Sequence, residues 1–317
     1  MGLKILAAFL VLLPLPTFAA FTIPTLAPTI DISLNPESPG PRQTVSVRAE
    51  NVSAGATFVW RVNGSVVDQG VGVRGTTVTT GPLGSETTVS VSVTDGGVSK
   101  GEKSMTLRPA EVDLVWEGNT YTPPFYLGRP LMNPSSSVRL MAVPHLVVGG
   151  VRVGASDLVY TWYMNGSQTP LITGYGKSMI NVTAPQFINP FSVTVRAATR
   201  DGATVAEQEA VIEPTLPDIV VYEQAPLLGT RFERAIEDTF TLADEETTFV
   251  AYPLHIGNVD SPAYAWSLNG DEVAGDTPRE ITFRRQGEGS GAYSVEFSLE
   301  NTRALFERAS KEFVIRF

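Results

Sequence analysis

Tyr160-Thr161-Trp162-Tyr163-Met164-Asn165-Gly166 is one of three copies of a single pattern; the others are Phe58-Val59-Trp60-Arg61-Val62-Asn63-Gly64 and Tyr264-Ala265-Trp266-Ser267-Leu268-Asn269-Gly270. Each reads aromatic-x-Trp-x-apolar-Asn-Gly. The tryptophans lie 102 and 104 positions apart (162 − 60 and 266 − 162), and three of the four in the chain sit in this pattern. Large apolar residues alternating with others mark a strand with one buried face. Asn-Gly supplies two residues that accept positive φ, which a tight hairpin turn requires. Trp60, Trp162 and Trp266 bury more area than any other side chain could and are expected to anchor three cores.

Working outward, each copy is preceded by an alternating stretch (45–49, 138–142 and 247–251) and followed by another (89–93, 191–195 and 293–297). Polar turns such as Asp95-Gly96-Gly97 and Asp201-Gly202 come next, then a last stretch at 103–107 or 209–212. Short strands at this spacing, separated by Gly and Pro, predict an all-β chain of three tandem sandwiches. Proline-bearing seams at Arg108-Pro109-Ala110 and at residues 213–217 place the domains at 28–109, 110–216 and 217–317. The turns are assigned to Asn63-Gly64, Asn165-Gly166 and Asn269-Gly270.

These residues resemble the immunoglobulin superfamily and, more loosely, bacterial Ig-like and PKD-like repeats. Trp162-Tyr163-Met164-Asn165-Gly166 is similar to the central strand and turn of an intermediate-type immunoglobulin domain. Gly291-Ala292-Tyr293-Ser294-Val295 resembles the family's tyrosine corner, which implies a core role for Tyr293. The positions of the family's two cysteines carry Ala49, Ala142 and Ala251, and then Val91, Val193 and Val295. The resemblance therefore implies disulfide-free sandwiches with apolar residues at those core positions. It specifies a fold and hardly a function, because this architecture hosts many roles.

The first residues, MGLKILAAFLVLLPLPTFA, have the positive start, short apolar run and small residues of a signal peptide spanning 1–19. A Pro- and Thr-rich leader at 20–27 follows. Export to the extracellular space or cell surface is the expectation, without membrane insertion after cleavage; a retained N-terminal anchor is the alternative. The 317 residues include no cysteine, which excludes thiol catalysis and zinc–thiolate or iron–sulfur sites. A net charge of −10 argues against nucleic acid as a partner. Most of that surplus lies from Asp218 onward, where roughly 18 acids face 9 bases.

No catalytic residue, cofactor or metal site is expected. His145 and His255 follow the second strands of their domains and read as structural, since neither has HxH or HxxH spacing. Asp244-Glu245-Glu246 and Glu237-Asp238 read as solvated loop charge, and Gly287-Glu288-Gly289-Ser290-Gly291 as a hairpin connection. Two insertions stand out: residues 121–130, with Tyr121, Phe125, Tyr126 and Arg129, and residues 222–231, with Leu227 and Arg231. Either they present a contact surface for a partner, or their aromatics seal the core or the neighbouring domain. The composite expectation is a non-catalytic structural or adhesion protein, a semi-rigid rod whose partners are envelope or surface-filament proteins. The alternative is a carbohydrate-binding or accessory module whose partner is polysaccharide, read by exposed rings among Tyr121, Phe125, Tyr126 and Tyr175.

Overall fold

The computed structural model describes residues 29–167, 170–183, 189–285, 287 and 289–317. The expected signal peptide and leader lie outside these residues. Along the chain, three pairs of sheets each close on their own cluster of buried side chains.

The first pair contains β1 (Asp31–Asn35), β2 (Thr44–Glu50), β3 (Thr57–Val62), β4 (Ser65–Val71), β5 (Gly75–Thr79), β6 (Thr87–Asp95) and β7 (Val98–Leu107), in the orders β1-β2-β5 and β4-β3-β6-β7. The second is built from β8 (Glu111–Gly118), β9 (Ser137–His145), β10 (Val147–Val148), β11 (Val151–Arg152), β12 (Val159–Met164), β13 (Ile172–Tyr175), β14 (Met179–Thr183), β15 (Phe191–Ala198) and β16 (Val205–Ile212). Its sheets run β14-β9-β8 and β13-β12-β15-β16, with β10-β11 as a small hairpin. The third comprises β17 (Asp218–Ala225), β18 (Gly229–Ile236), β19 (Thr239–Thr241), β20 (Glu246–Leu254), β21 (Ala263–Leu268), β22 (Asp271–Val273), β23 (Glu280–Arg284), β24 (Ala292–Glu300) and β25 (Arg308–Arg316). There the orders are β18-β17-β20-β23 and β19-β25-β24-β21-β22, with β19 parallel to β25. These strand orders are those of immunoglobulin-like β-sandwiches in tandem.

All three motif tryptophans are buried, and so are Ala49, Ala142, Ala251, Val91, Val193 and Val295. Small Ala and Val at the would-be cysteine positions leave room for the indole and keep the interior apolar. The indole N–H of Trp60 donates to Val73 O at 2.9 Å and that of Trp162 to Lys177 O at 2.8 Å, whereas Trp266 Nε1 is buried with no partner.

The Asn-Gly turns serve a second purpose. Asn63, Asn165 and Asn269 take φ of 50°, 50° and 53°, the left-handed region that Asn tolerates and bulkier residues avoid. Each Asn Oδ1 then accepts the backbone N–H of Thr88, Ser192 or Ser294 at 2.9, 3.0 and 2.9 Å. Each Asn N–H donates back to the carbonyl of the same residue. The turn residue is thereby tied to the strand on the other side of the motif strand. Asn165→Gly should cost the second sandwich about 1 kcal/mol, for the lost bond. Asn165→Ala should cost about 2 kcal/mol, because the φ penalty is added. Urea titration checks this, and equal costs would show that the backbone angle is immaterial.

Tyr293 requires a correction. It shares the inward phase of β24 with Val295 and Phe297, yet it is 39% exposed. Lying near the strand end, it stacks on the Phe317 ring at 5.2 Å rather than entering the core. Phe191 and Val89, at the matching positions, are buried. A hydroxyl-to-upstream-backbone tie does occur, but at the first aromatic of the motif: Tyr160 Oη donates to Ala155 O at 3.0 Å and Tyr264 Oη to Val259 O at 2.6 Å. Burial pushes the Tyr264 phenol up to about 12. Phe58 has no hydroxyl with which to make this tie.

Candidate functional site at the junction of the second and third sandwiches

Between β8 and β9 the chain leaves the second sandwich and returns, carrying Pro123, Pro124, Pro130 and Pro134. Four prolines rule out a helix, and the chain instead makes tight turns at residues 123–126 and 133–136, closed by Tyr126 N–H to Pro123 O at 2.9 Å and Ser136 N–H to Asn133 O at 3.0 Å. Its backbone groups find partners outside any ladder: Tyr121 N–H donates to Ile256 O at 2.6 Å, and Gly118 N–H to Pro130 O at 2.7 Å. The returning chain passes so close over Gly118 that a Cβ there would stand 2.5 Å from the Leu131 carbonyl carbon and Met132 N. Only glycine fits.

The insertion's rings lie on the outer face of the third sandwich. Phe125 packs edge-on to Tyr222 and Tyr252 at centroid distances of 5.2 and 5.0 Å, and tilted on Phe232 at 4.2 Å. Tyr126 meets the His255 ring edge-on at 5.9 Å, and Tyr121 packs against the third core. This cover explains the burial of Val250 and Tyr222, which point away from that core. The run Phe249-Val250-Ala251-Tyr252-Pro253-Leu254 reads apolar on both faces because both faces are covered.

Beside the rings is a buried polar knot. Asn133 Nδ2 donates to His255 O at 2.7 Å and to Glu307 Oε1 at 2.9 Å. Glu307 Oε1 also accepts Gly257 N–H at 2.6 Å, and Oε2 accepts Asn301 Nδ2 at 2.6 Å. Asn133, Asn301, Glu307 and His255 are all buried. Buried polar groups whose bonds are met specify one arrangement, because any shift between the two sandwiches would orphan several at once. Nothing in sequence spacing pointed to Asn133, Asn301 or Glu307. The available signal was the two-sided apolar run 249–254, which announces that something covers the sheet.

His255 adds a pH dependence. Its φ is 59°, its Nδ1 is buried without a partner, and burial lowers its pKa from 6.5, with Asp218 opposing that shift weakly. The folded state therefore holds the proton less tightly than the unfolded chain. The neutral imidazole's contribution is complete above about pH 6.5 and is lost as pH falls from there through the folded value. The melting temperature of the third sandwich should fall between about pH 7 and 5 more steeply than in His255→Asn, which keeps the left-handed angle. Parallel pH profiles would remove His255 as the cause.

The six residues named as contacts do not form one surface. Tyr121, Phe125 and Tyr126 lie at the junction, Tyr121 against the third core, Phe125 edge-on to two tyrosines and tilted on Phe232, and Tyr126 edge-on to His255. The Arg129 guanidinium sits 3.6 Å above the Trp116 ring, and Arg231 pairs with Glu223 at 3.5 Å. Leu227 stands in solvent at the β17–β18 hairpin tip, and Tyr175 is exposed with Arg200 5.7 Å from its ring. Glu246 pairs with Arg284 at 2.6 Å and Glu237 with Lys311 at 3.4 Å. Arg152 donates to His145 Nδ1 at 2.7 Å, so Nε2–H faces Asp113 at 3.0 Å. Among the described residues no three His, Cys, Asp or Glu side chains are grouped as metal ligands, and no helix is long and apolar enough to cross a membrane.

The first junction is tight as well. Ala110 N–H donates to Pro39 O at 3.2 Å, and a Cβ on Gly84 would stand 2.6 Å from Val147 Cγ1. Arg108 bonds Glu86 at 2.9 Å beside a groove of ≈ 520 Å³.

No family model matches this chain, and no curated protein matches it. Among solved structures it is similar to the central fibronectin-III array of RIM-binding protein, at 13% identity and TM-score 0.32, covering 92% of this chain and 97% of that one. It is also similar to immunoglobulin domains 1–4 of Sidekick-1 (14%, TM-score 0.23, 90% and 74%). A third is SGBP-B of the Bacteroides ovatus mixed-linkage glucan utilization locus, in complex with a mixed-linkage heptasaccharide (13%, TM-score 0.21, 95% and 68%). At these scores the fold assignment rests on this chain's own strand order.

Proposed function

We propose that this chain is a non-catalytic structural or adhesion protein of the extracellular space or cell surface, in which tandem sandwiches hold partner contacts at a set spacing. The observation that carries this reading is the Asn133–Glu307–Asn301 knot. The chain places a buried, mutually hydrogen-bonded set of polar side chains between two sandwiches, where they set orientation, and not in a cleft where they could meet a substrate. Exposed loops on such a scaffold are suited to envelope or surface-filament proteins. The polysaccharide reading has less behind it, because Tyr121, Phe125 and Tyr126 are used at the junction.

The absence of cysteine makes a direct test simple. Spin labels on Glu207→Cys and Glu296→Cys, both at exposed positions, report the distance between the second and third sandwiches. A single narrow distribution is expected. A broad one in the wild-type background would overturn the reading of a set spacing. Crosslinking on intact producing cells then identifies the partner, and recovery of only polysaccharide-bound chain would favour the alternative.

A further inference from the structure

The outer faces of the sheets β1-β2-β5, β14-β9-β8 and β18-β17-β20-β23 differ in a way that calls for explanation. In the first sandwich that face is polar: Ser33 is in register with Arg48, and Ser46 with Thr77. In the third it is apolar, and the insertion carrying Phe125 covers it. In the second a bare apolar patch lies between charged residues, with Glu111 and Asp113 toward one end of β8 and Glu117 and Arg139 toward the other. Val115, Met141 and Met179 lie in one row across β8, β9 and β14, with Val143 one outward position along β9. Val115 and Met179 are 52% and 51% exposed. The Glu117–Arg139 pair, 3.2 Å apart, bounds the row on one side.

The same chain carries an apolar tip with nothing to sit on. Ala225 pairs with Gly229, so Pro226, Leu227 and Leu228 form the turn between β17 and β18. Leu227 and Leu228 are 96% and 82% exposed. The tip is firmly based: Thr230 Oγ1 lies 2.7 Å from Gln224 Oε1 and 3.2 Å from Tyr252 Oη. Within one molecule the tip cannot reach the bare face. It lies at the end of β17 away from Asp218, about 20 Å beyond the junction, and the knot holds that junction in place.

We propose that the Leu227–Leu228 tip of one copy docks on the Val115–Met141–Met179 face of a second copy. The third sandwich supplies the template within this chain, since a proline-led apolar segment, Pro123-Pro124-Phe125, already covers a face of the same kind. Two thioethers give the face a surface that moulds to a pair of leucines. The charges that border the two surfaces are paired, Glu117 with Arg139 and Asp113 with the His145–Arg152 couple beside the patch, and Glu223 with Arg231 at the base of the tip. Tip and face are different surfaces, so the contact is heterologous and every docked copy leaves one tip and one face free. The product is an open chain of molecules rather than a closed dimer.

Sedimentation velocity of the whole protein against concentration tests this. The wild type should show a weight-average mass that climbs past the dimer without a plateau. Leu227→Asp/Leu228→Asp and Met141→Lys/Met179→Lys should each be monomeric alone, and their equimolar mixture should form 1:1 complexes and nothing larger. All four positions are exposed, and Met141→Thr/Met179→Thr replaces the lysine pair should that variant fail to fold. A wild type monomeric up to about 1 mM would overturn the docking. Self-association surviving in either variant would overturn it too. Neither result touches the set-spacing reading, which stands or falls on the label-to-label distance.

Discussion

Trp162→Ala is expected to cost the second sandwich about 3–5 kcal/mol, the range for emptying a large aromatic site in a closed core. The ring is fully buried among side chains of both sheets, and its N–H satisfies Lys177 O at 2.8 Å. Truncation leaves a cavity and an unmet carbonyl together. No disulfide holds the sandwich closed, and a domain with a total stability of about 5–15 kcal/mol would be left near its unfolding threshold. The phenylalanine variants separate the two parts of the effect. Trp162→Phe loses a hydrogen bond, whereas Trp266→Phe removes a donor that has no partner, so the first should cost about 1 kcal/mol more. Guanidinium unfolding followed by far-UV circular dichroism measures both. A loss under about 2 kcal/mol for Trp162→Ala would show that neighbouring side chains collapse into the space.

Glu307→Ala should cost the third sandwich about 3 kcal/mol or more and loosen the junction. Its carboxylate takes three N–H donors, from Asn133, Gly257 and Asn301, and each donor left buried and unmet costs about 1–3 kcal/mol. Glu307→Gln does not rescue the site. Either orientation of the amide turns an NH2 toward a donor, and flipping Asn301 to compensate removes the Oδ1 that accepts Arg303 N–H at 3.1 Å. A double-mutant cycle with Asn133→Ala isolates the part acting across the junction, with a coupling of about 1–3 kcal/mol expected. The label distribution should broaden in both single variants. Zero coupling would mean that Glu307 merely braces its own loop and that the junction is held by the rings alone.

These two sites differ in how far they could be read beforehand. Trp162 announces itself, since alternation of period two, an Asn-Gly turn and a repeat of about one hundred residues all converge on it. Glu307 looks like any other acid in an acid-rich third of the chain. Tyr121, Phe125 and Tyr126 stood open between facing solvent and sealing a neighbour, because ring chemistry suits both. Tyr293 fell on the correct phase of its strand but lay too near the end to be covered, and phase carries no record of where the opposing sheet stops.

The amino-acid sequence by itself determined the class of fold, the three tryptophan strands, their hairpin turns and the apolar replacement of the cysteine pair. Those features follow from local physics, since strand pleat and turn dihedrals act over two to seven neighbouring residues. Tertiary structure alone decided that the 121–130 insertion covers the third sandwich and that Asn133 reaches His255 and Glu307, 122 and 174 positions away. Contacts at that separation leave no period in the sequence. They exist because two surfaces, each incompletely buried alone, satisfy one another's apolar area and polar atoms once the chain brings them together.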